Sequence, residues 1–269
     1  MQKDTTMEAV LDFDDSEQIL NYIVEKGELP RYLYKYTSIE SLMLILKNST
    51  LKFSKPSEFN DPFDCNITID TDNTEEEIES YINLLQQNNK LTADQITKSR
   101  QNLNNTQVRY TITNNSIKDA KENFGVTCFS EKDNNLLMWA HYSDKHKGVC
   151  LKFDILADTD FFMTPFPVLY KEEYPKYNYI RNRDELAKFL LETKSIDWEY
   201  EKEIRVMKRG PDFYEFNKKS LVEVIFGART TDSERSSIIQ LIKENDYEYV
   251  TLRICNISKT KFELEINKL

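Results

Sequence analysis

The chain has 269 residues, a formal net charge of −10, 39% hydrophobic residues and four cysteines. An acid excess of that size argues against broad electrostatic capture of nucleic acid or of an anionic membrane. No apolar run approaches membrane-spanning length, residues 1–18 show no secretory signal, and Cys65, Cys128, Cys150 and Cys255 lack C-x-x-C spacing. These features predict a cytoplasmic protein with reduced thiols.

In chain order, Asp15 or Ser16 caps a first helix to about Lys26, with Ile19, Leu20, Ile23 and Val24 on one side. Gly27 and Pro30 stop it. Residues 32–36 read as a strand, Ser38 as the cap of a helix bearing Leu42, Ile45 and Leu46, and residues 51–54 as a second strand. Asn60-Asp61-Pro62 has the chemistry of a turn, or of a ligand-binding corner. Residues 71–123 are rich in Asn, Gln, Thr and Glu; Ile78, Tyr81, Ile82 and Leu85 share a helical face, and Thr92 with Gln95 makes a capping box. That stretch reads as a helical insertion or lid within a single domain spanning 1–269.

Residues 126–130, 148–154, 166–174 and 200–208 read as extended, and 134–142 and 184–194 as helical. Residues 222–228 form a buried-type strand, and Thr231 with Glu234 opens a helix through Ile238, Ile239, Leu241 and Ile242. Residues 247–255 and 261–266 alternate as a closing pair. Roughly eight short strands with intervening helices and no regular βαβ rhythm predict an α+β fold.

Three groups of residues carry candidate chemistry. On a strand, Glu201, Glu203 and Arg205 share a face. Neighbouring carboxylates of this kind serve acid/base work, bind metal or stabilise a positive transition state; equally, they form a solvated face with internal Glu–Arg pairing. Thr127-Cys128-Phe129-Ser130, followed by Trp139 and Tyr142, either brackets a flat heterocycle or packs a helix on a sheet. Lys35, between Tyr34 and Tyr36 and with Arg31 nearby, suits a phosphate or a ribose hydroxyl. His141 and His146 lie five apart, the wrong spacing for a zinc helix, and glycine-rich phosphate loops are absent.

Taken together, LYKYTS, LKFSKPSEFNDPFD, VTCFSE, LLMWAHYSDKHKGVCLKFD and WEYEKEIRV resemble the bacterial domain of unknown function twenty-nine seventy-one family. The resemblance runs from about Tyr32 to Ala228, with residues 71–123 as its variable part. That family in turn looks distantly like the ADP-ribosyltransferase fold. This second resemblance implies a core of short, mostly antiparallel strands with peripheral helices and a helical insertion. It also implies an enzyme that transfers or hydrolyses ADP-ribose, with NAD as substrate and no metal, in a toxin or antiphage setting. Glu203 would stabilise an oxocarbenium-like transition state and Glu201 would orient the acceptor. Lys35, standing where the fold often has histidine, would hold ribose or phosphates with Ser130; read from the residues alone, Arg31 and Arg205 are further candidate binding residues. Tyr36, Phe129 or Tyr142 would stack on nicotinamide. Expected partners are NAD or another nucleotide and an acceptor macromolecule. Two alternatives stand beside this: a non-catalytic ligand-sensing or protein-interaction module, and a metal-dependent hydrolase or nuclease using Glu201, Glu203, Asp61 and Asp64.

Overall fold

The computed structural model describes residues 16–89, 91–163 and 165–269, so the expected cap at Asp15 and the reading of residues 1–15 lie outside the described residues. Helix α1 (Ser16–Glu25) leads to β1 (Tyr32–Thr37), α2 (Ile39–Asn48) and β2 (Thr50–Phe53). Ser38 caps α2 by accepting the Ser41 N–H, and Ser49 closes it in the left-handed region at φ 54°. After β3 (Thr68–Ile69) come α3 (Glu75–Asn89), α4 (Ala93–Asn104) and α5 (Thr106–Asn123), the helices expected for the insertion. The Thr92–Gln95 capping box is present. Ile78, Tyr81, Ile82 and Leu103 form a small core of their own against Tyr179 and Ile180.

Next in order are β4 (Phe124–Ser130), α6 (Leu136–Tyr142), β5 (Val149–Asp154), β6 (Pro165–Pro167), β7 (Leu169–Lys171), β8 (Lys176–Tyr177), α7 (Leu186–Leu191) and β9 (Thr193–Ser195). The series ends with β10 (Glu203–Arg209), β11 (Asp212–Glu215), β12 (Leu221–Phe226), α8 (Asp232–Glu244), β13 (Thr251–Ile257) and β14 (Leu264–Lys268). Eight strands form one sheet in the order β14-β13-β12-β5-β1-β4-β10-β6. Every junction is antiparallel except β12–β13. The mixed α and β fold is the one the strand and helix pattern predicts, and its sheet is mostly antiparallel.

The strand period of two sends alternate side chains to opposite faces of this sheet. On one face Leu33, Leu151, Phe153 and Val224 meet Leu42 and Leu46 of α2 and Ile238 and Ile242 of α8. Each such side chain, fully buried, contributes about 1.5–3 kcal/mol. On the other face Tyr36, Cys150 and Ile225 pack under Met138 and Trp139 of α6. No helix among the described residues is long and apolar enough to cross a membrane.

Two segments differ from the sequence expectation. Residues 184–194 are not one helix: α7 ends at Leu191, and Lys194 sits on β9, parallel to β7. Residues 200–208 are not one strand: Ile196–Glu201 is a 3-10 turn, and Lys202 takes φ 45° before β10 begins. Ser195 starts that turn by accepting the Asp197 N–H, a local cap that outcompetes the extended form. Glu201 therefore does not share a strand face with Glu203 and Arg205.

Candidate functional site

β1 pairs with β5 along its whole length but with β4 only at Tyr34↔Ser130. The next pair in that register would join Tyr36 to Cys128; instead the strands part, and a cavity of about 170 Å³ lies there. Tyr34, Lys35 and Tyr36 of β1 line it with Cys128 and Phe129 of β4, Met138 and Tyr142 of α6, and Phe59, Asn60, Asp64, Lys194, Glu201 and Glu203. The Lys35 side chain spans the gap, its Nζ donating to Thr127 Oγ1 at 2.8 Å and to the Cys128 carbonyl at 3.1 Å.

Beside this gap lies a buried charge cluster. Lys194 Nζ stands 2.5 Å from Glu201 Oε2, 2.9 Å from Glu203 Oε2 and 3.6 Å from Asp64 Oδ2. Arg205 Nε reaches Glu203 Oε1 at 2.7 Å, and its Nη2 reaches Asp64 Oδ2 at 2.6 Å. Arg205 also donates to the Leu191 carbonyl at 3.1 Å. Tyr142 donates its hydroxyl to Glu201 Oε1 at 2.5 Å, and the Tyr170 hydroxyl accepts the Glu203 N–H at 2.8 Å. Charges this deeply buried persist only when paired and hydrogen-bonded, and here each one is.

The two neighbouring glutamates are pushed in opposite directions. Burial would raise the Glu203 carboxyl, but the positive charges of Arg205 and Lys194 outweigh it and hold its pKa well below the usual range. At Glu201 burial prevails over the attraction of Lys194, helped by repulsion from Glu203, and its pKa is raised. Burial opposes the charge of Lys194, yet Glu203, Glu201 and Asp64 together keep it firmly protonated. Lys35 goes the other way: burial lowers its pKa, against smaller opposing effects of Cys128 and Glu203.

Lys35, Tyr36, Phe129, Tyr142, Glu201 and Glu203, singled out in the sequence, thus line one cavity. Three others do not. The Ser130 hydroxyl donates to the Glu201 carbonyl at 2.6 Å, so it fixes the turn that carries Glu201 instead of facing the cavity. Arg31 is exposed and forks onto Asp154. Arg205 lies beneath the cavity as the counter-ion of Glu203 and Asp64. Asp61 accepts the Phe63 N–H at 2.9 Å, which is turn chemistry. Glu201, Glu203 and Asp64 are paired with the Lys194 ammonium and the Arg205 guanidinium. The described residues contain no group of three or more side chains arranged to hold a metal.

Lys194 is the residue the sequence did not bring forward. It was hidden inside a predicted helix, although Thr193 and the Ser195–Asp197 cap mark a break there. Lys194 also lines a second, larger groove of about 950 Å³ with Phe63, Tyr174, Lys176, Trp198 and Tyr200. One buried ammonium thus borders both spaces.

Residues 138–206 match the model of a family described as protein of unknown function (DUF2971). The matched segment, which includes Met138, Tyr142, Lys194, Glu201, Glu203 and Arg205, is similar to the family that the sequence blocks resemble. No curated protein and no solved structure matches the chain.

Proposed function

We propose that the protein transfers or hydrolyses the ADP-ribosyl group of NAD at the cavity bordered by Lys35 and Glu203. The observation that carries this reading is the division between two carboxylates held by one lysine, Glu203 kept ionised and Glu201 with raised proton affinity. Breaking an N-glycosidic bond builds positive charge on the ribose. A fixed negative carboxylate stabilises that charge, and a second carboxyl group that takes up a proton activates the acceptor. At about 170 Å³ the cavity is smaller than the roughly 300–1,000 Å³ usual for a drug-sized ligand. In this reading it takes the nicotinamide ribose, against Phe129 and Tyr142, and the rest of the dinucleotide runs into the groove across Lys194. The acceptor is a macromolecule, and a toxin or antiphage setting is the context implied.

One observation favours a second reading. Glu203 is fully engaged by Arg205 and Lys194, and Glu201 by Lys194 and Tyr142, so the carboxylates already have partners. A non-catalytic module that senses a nucleotide would use the same cavity without turnover. Purified protein incubated with NAD separates the two by chromatography of free nicotinamide. Release that stops in Glu203→Gln, with the circular dichroism spectrum preserved, supports the enzyme. NAD binding without release supports the sensor, and absence of NAD binding under all conditions removes the enzyme.

A further inference from the structure

Lys35 and Lys194 border the same cavity but are bonded differently. Lys194 is surrounded by three carboxylates. Lys35 has none within ion-pairing distance among the described residues; its two hydrogen bonds go to a hydroxyl and a carbonyl oxygen. Its Nζ also lies 5.2 Å from the centroid of the Phe129 ring. A neutral amine has two N–H groups and one lone pair. The bonds to Thr127 and Cys128 use both N–H groups and leave the lone pair unbonded, on a residue that lines the cavity. Burial favours that neutral form, since a desolvated lysine gives up its proton more readily. Desolvated lysines of this kind are nucleophiles toward carbonyl carbon.

The rest of the lining defines the class of ligand. Asn60, Tyr34 and Glu201 place amide, phenol and carboxyl groups around the space, and Phe59 and Met138 give it apolar walls. Such a mixture suits a small polyhydroxylated carbonyl compound.

We infer that Lys35 captures the aldehyde of a reducing sugar in this cavity as an imine. The Nζ lone pair attacks the carbonyl carbon and forms the C–N bond, while the oxygen takes up a proton to give a carbinolamine. The C–O bond then breaks and the oxygen leaves as water, with both hydrogens coming in net from the amine. No electrons are gained or lost, and the step needs no NAD turnover.

The test is reductive trapping. The full chain is incubated with D-ribose and cyanoborohydride, and the adduct is mapped by peptide mass spectrometry. The expected result is one adduct per chain, on Lys35, lost in Lys35→Met, whose folding is checked by circular dichroism. Adducts spread over surface lysines with Lys35 unlabelled in the wild-type protein would overturn the inference, whether or not NAD is turned over.

Discussion

At Glu203, burial and ion pairing act against each other, and pairing wins. Its folded-state pKa lies below the unfolded value of about 4.3. As pH falls through that value the unfolded chain takes up the proton first, so stability is present above about 4.3 and is lost as pH drops toward the folded value. Thermal denaturation of Glu203→Gln should therefore show a flatter acid limb below about pH 4.3 than the wild type. Parallel limbs would mean that Arg205 and Lys194 are not what keeps Glu203 ionised. At neutral pH the same substitution leaves Arg205 with only Asp64 as a carboxylate partner and Lys194 without one of its three. Removing one member of a buried pair costs about 3–5 kcal/mol. Glu203→Gln should approach the lower end, because the amide still accepts hydrogen bonds, and Glu203→Ala the upper end. Urea denaturation measures both, and equal stabilities for wild type and Glu203→Ala would contradict the pairing.

At the scale of elements, the cavity depends on β1 following β5 while leaving β4. Gly148, just before β5, permits the close approach: a Cβ there would lie 2.2 Å from the Thr37 carbonyl oxygen, a backbone atom that cannot move aside alone. Gly148→Ala should lower the melting temperature and also alter any chemistry at Lys35, since β1 carries both Thr37 and Lys35. An unchanged melting temperature would show that β1 shifts freely. Much at this scale was legible beforehand. Ser38, Thr92 with Gln95, and Thr231 with Glu234 announce their helices because capping is local chemistry. The alternation of β13 and β14 announces their pairing. What stayed hidden depends on tertiary contact. The turn at Ile196–Glu201 and the placement of Lys194 on β9 bring three carboxylates around one ammonium, and no periodicity encodes that meeting. Ser130 misled for a similar reason: its residue type suits a ligand, but its hydroxyl serves a neighbouring backbone.

Across the whole molecule, the groups that matter come from distant parts of the chain: Lys35 from β1, Asp64 from the segment after β2, Tyr142 from α6, Glu201 from the 3-10 turn before β10, and Glu203 from the start of β10. The sheet order puts β1, β4 and β10 side by side, which is why residues more than 160 positions apart border one space. The family match covers only residues 138–206, so Lys35 and Asp64 join the site through the fold and not through the matched segment. In the proposed reading, the larger groove that Lys194 also lines takes the part of NAD that the small cavity cannot hold. The central claim is that this arrangement breaks the glycosidic bond of NAD, and its most direct test is chromatographic measurement of nicotinamide released by the purified wild-type chain. The account predicts time-dependent release that Glu203→Gln abolishes while the fold persists. Bound NAD recovered intact after prolonged incubation with the wild type would contradict it.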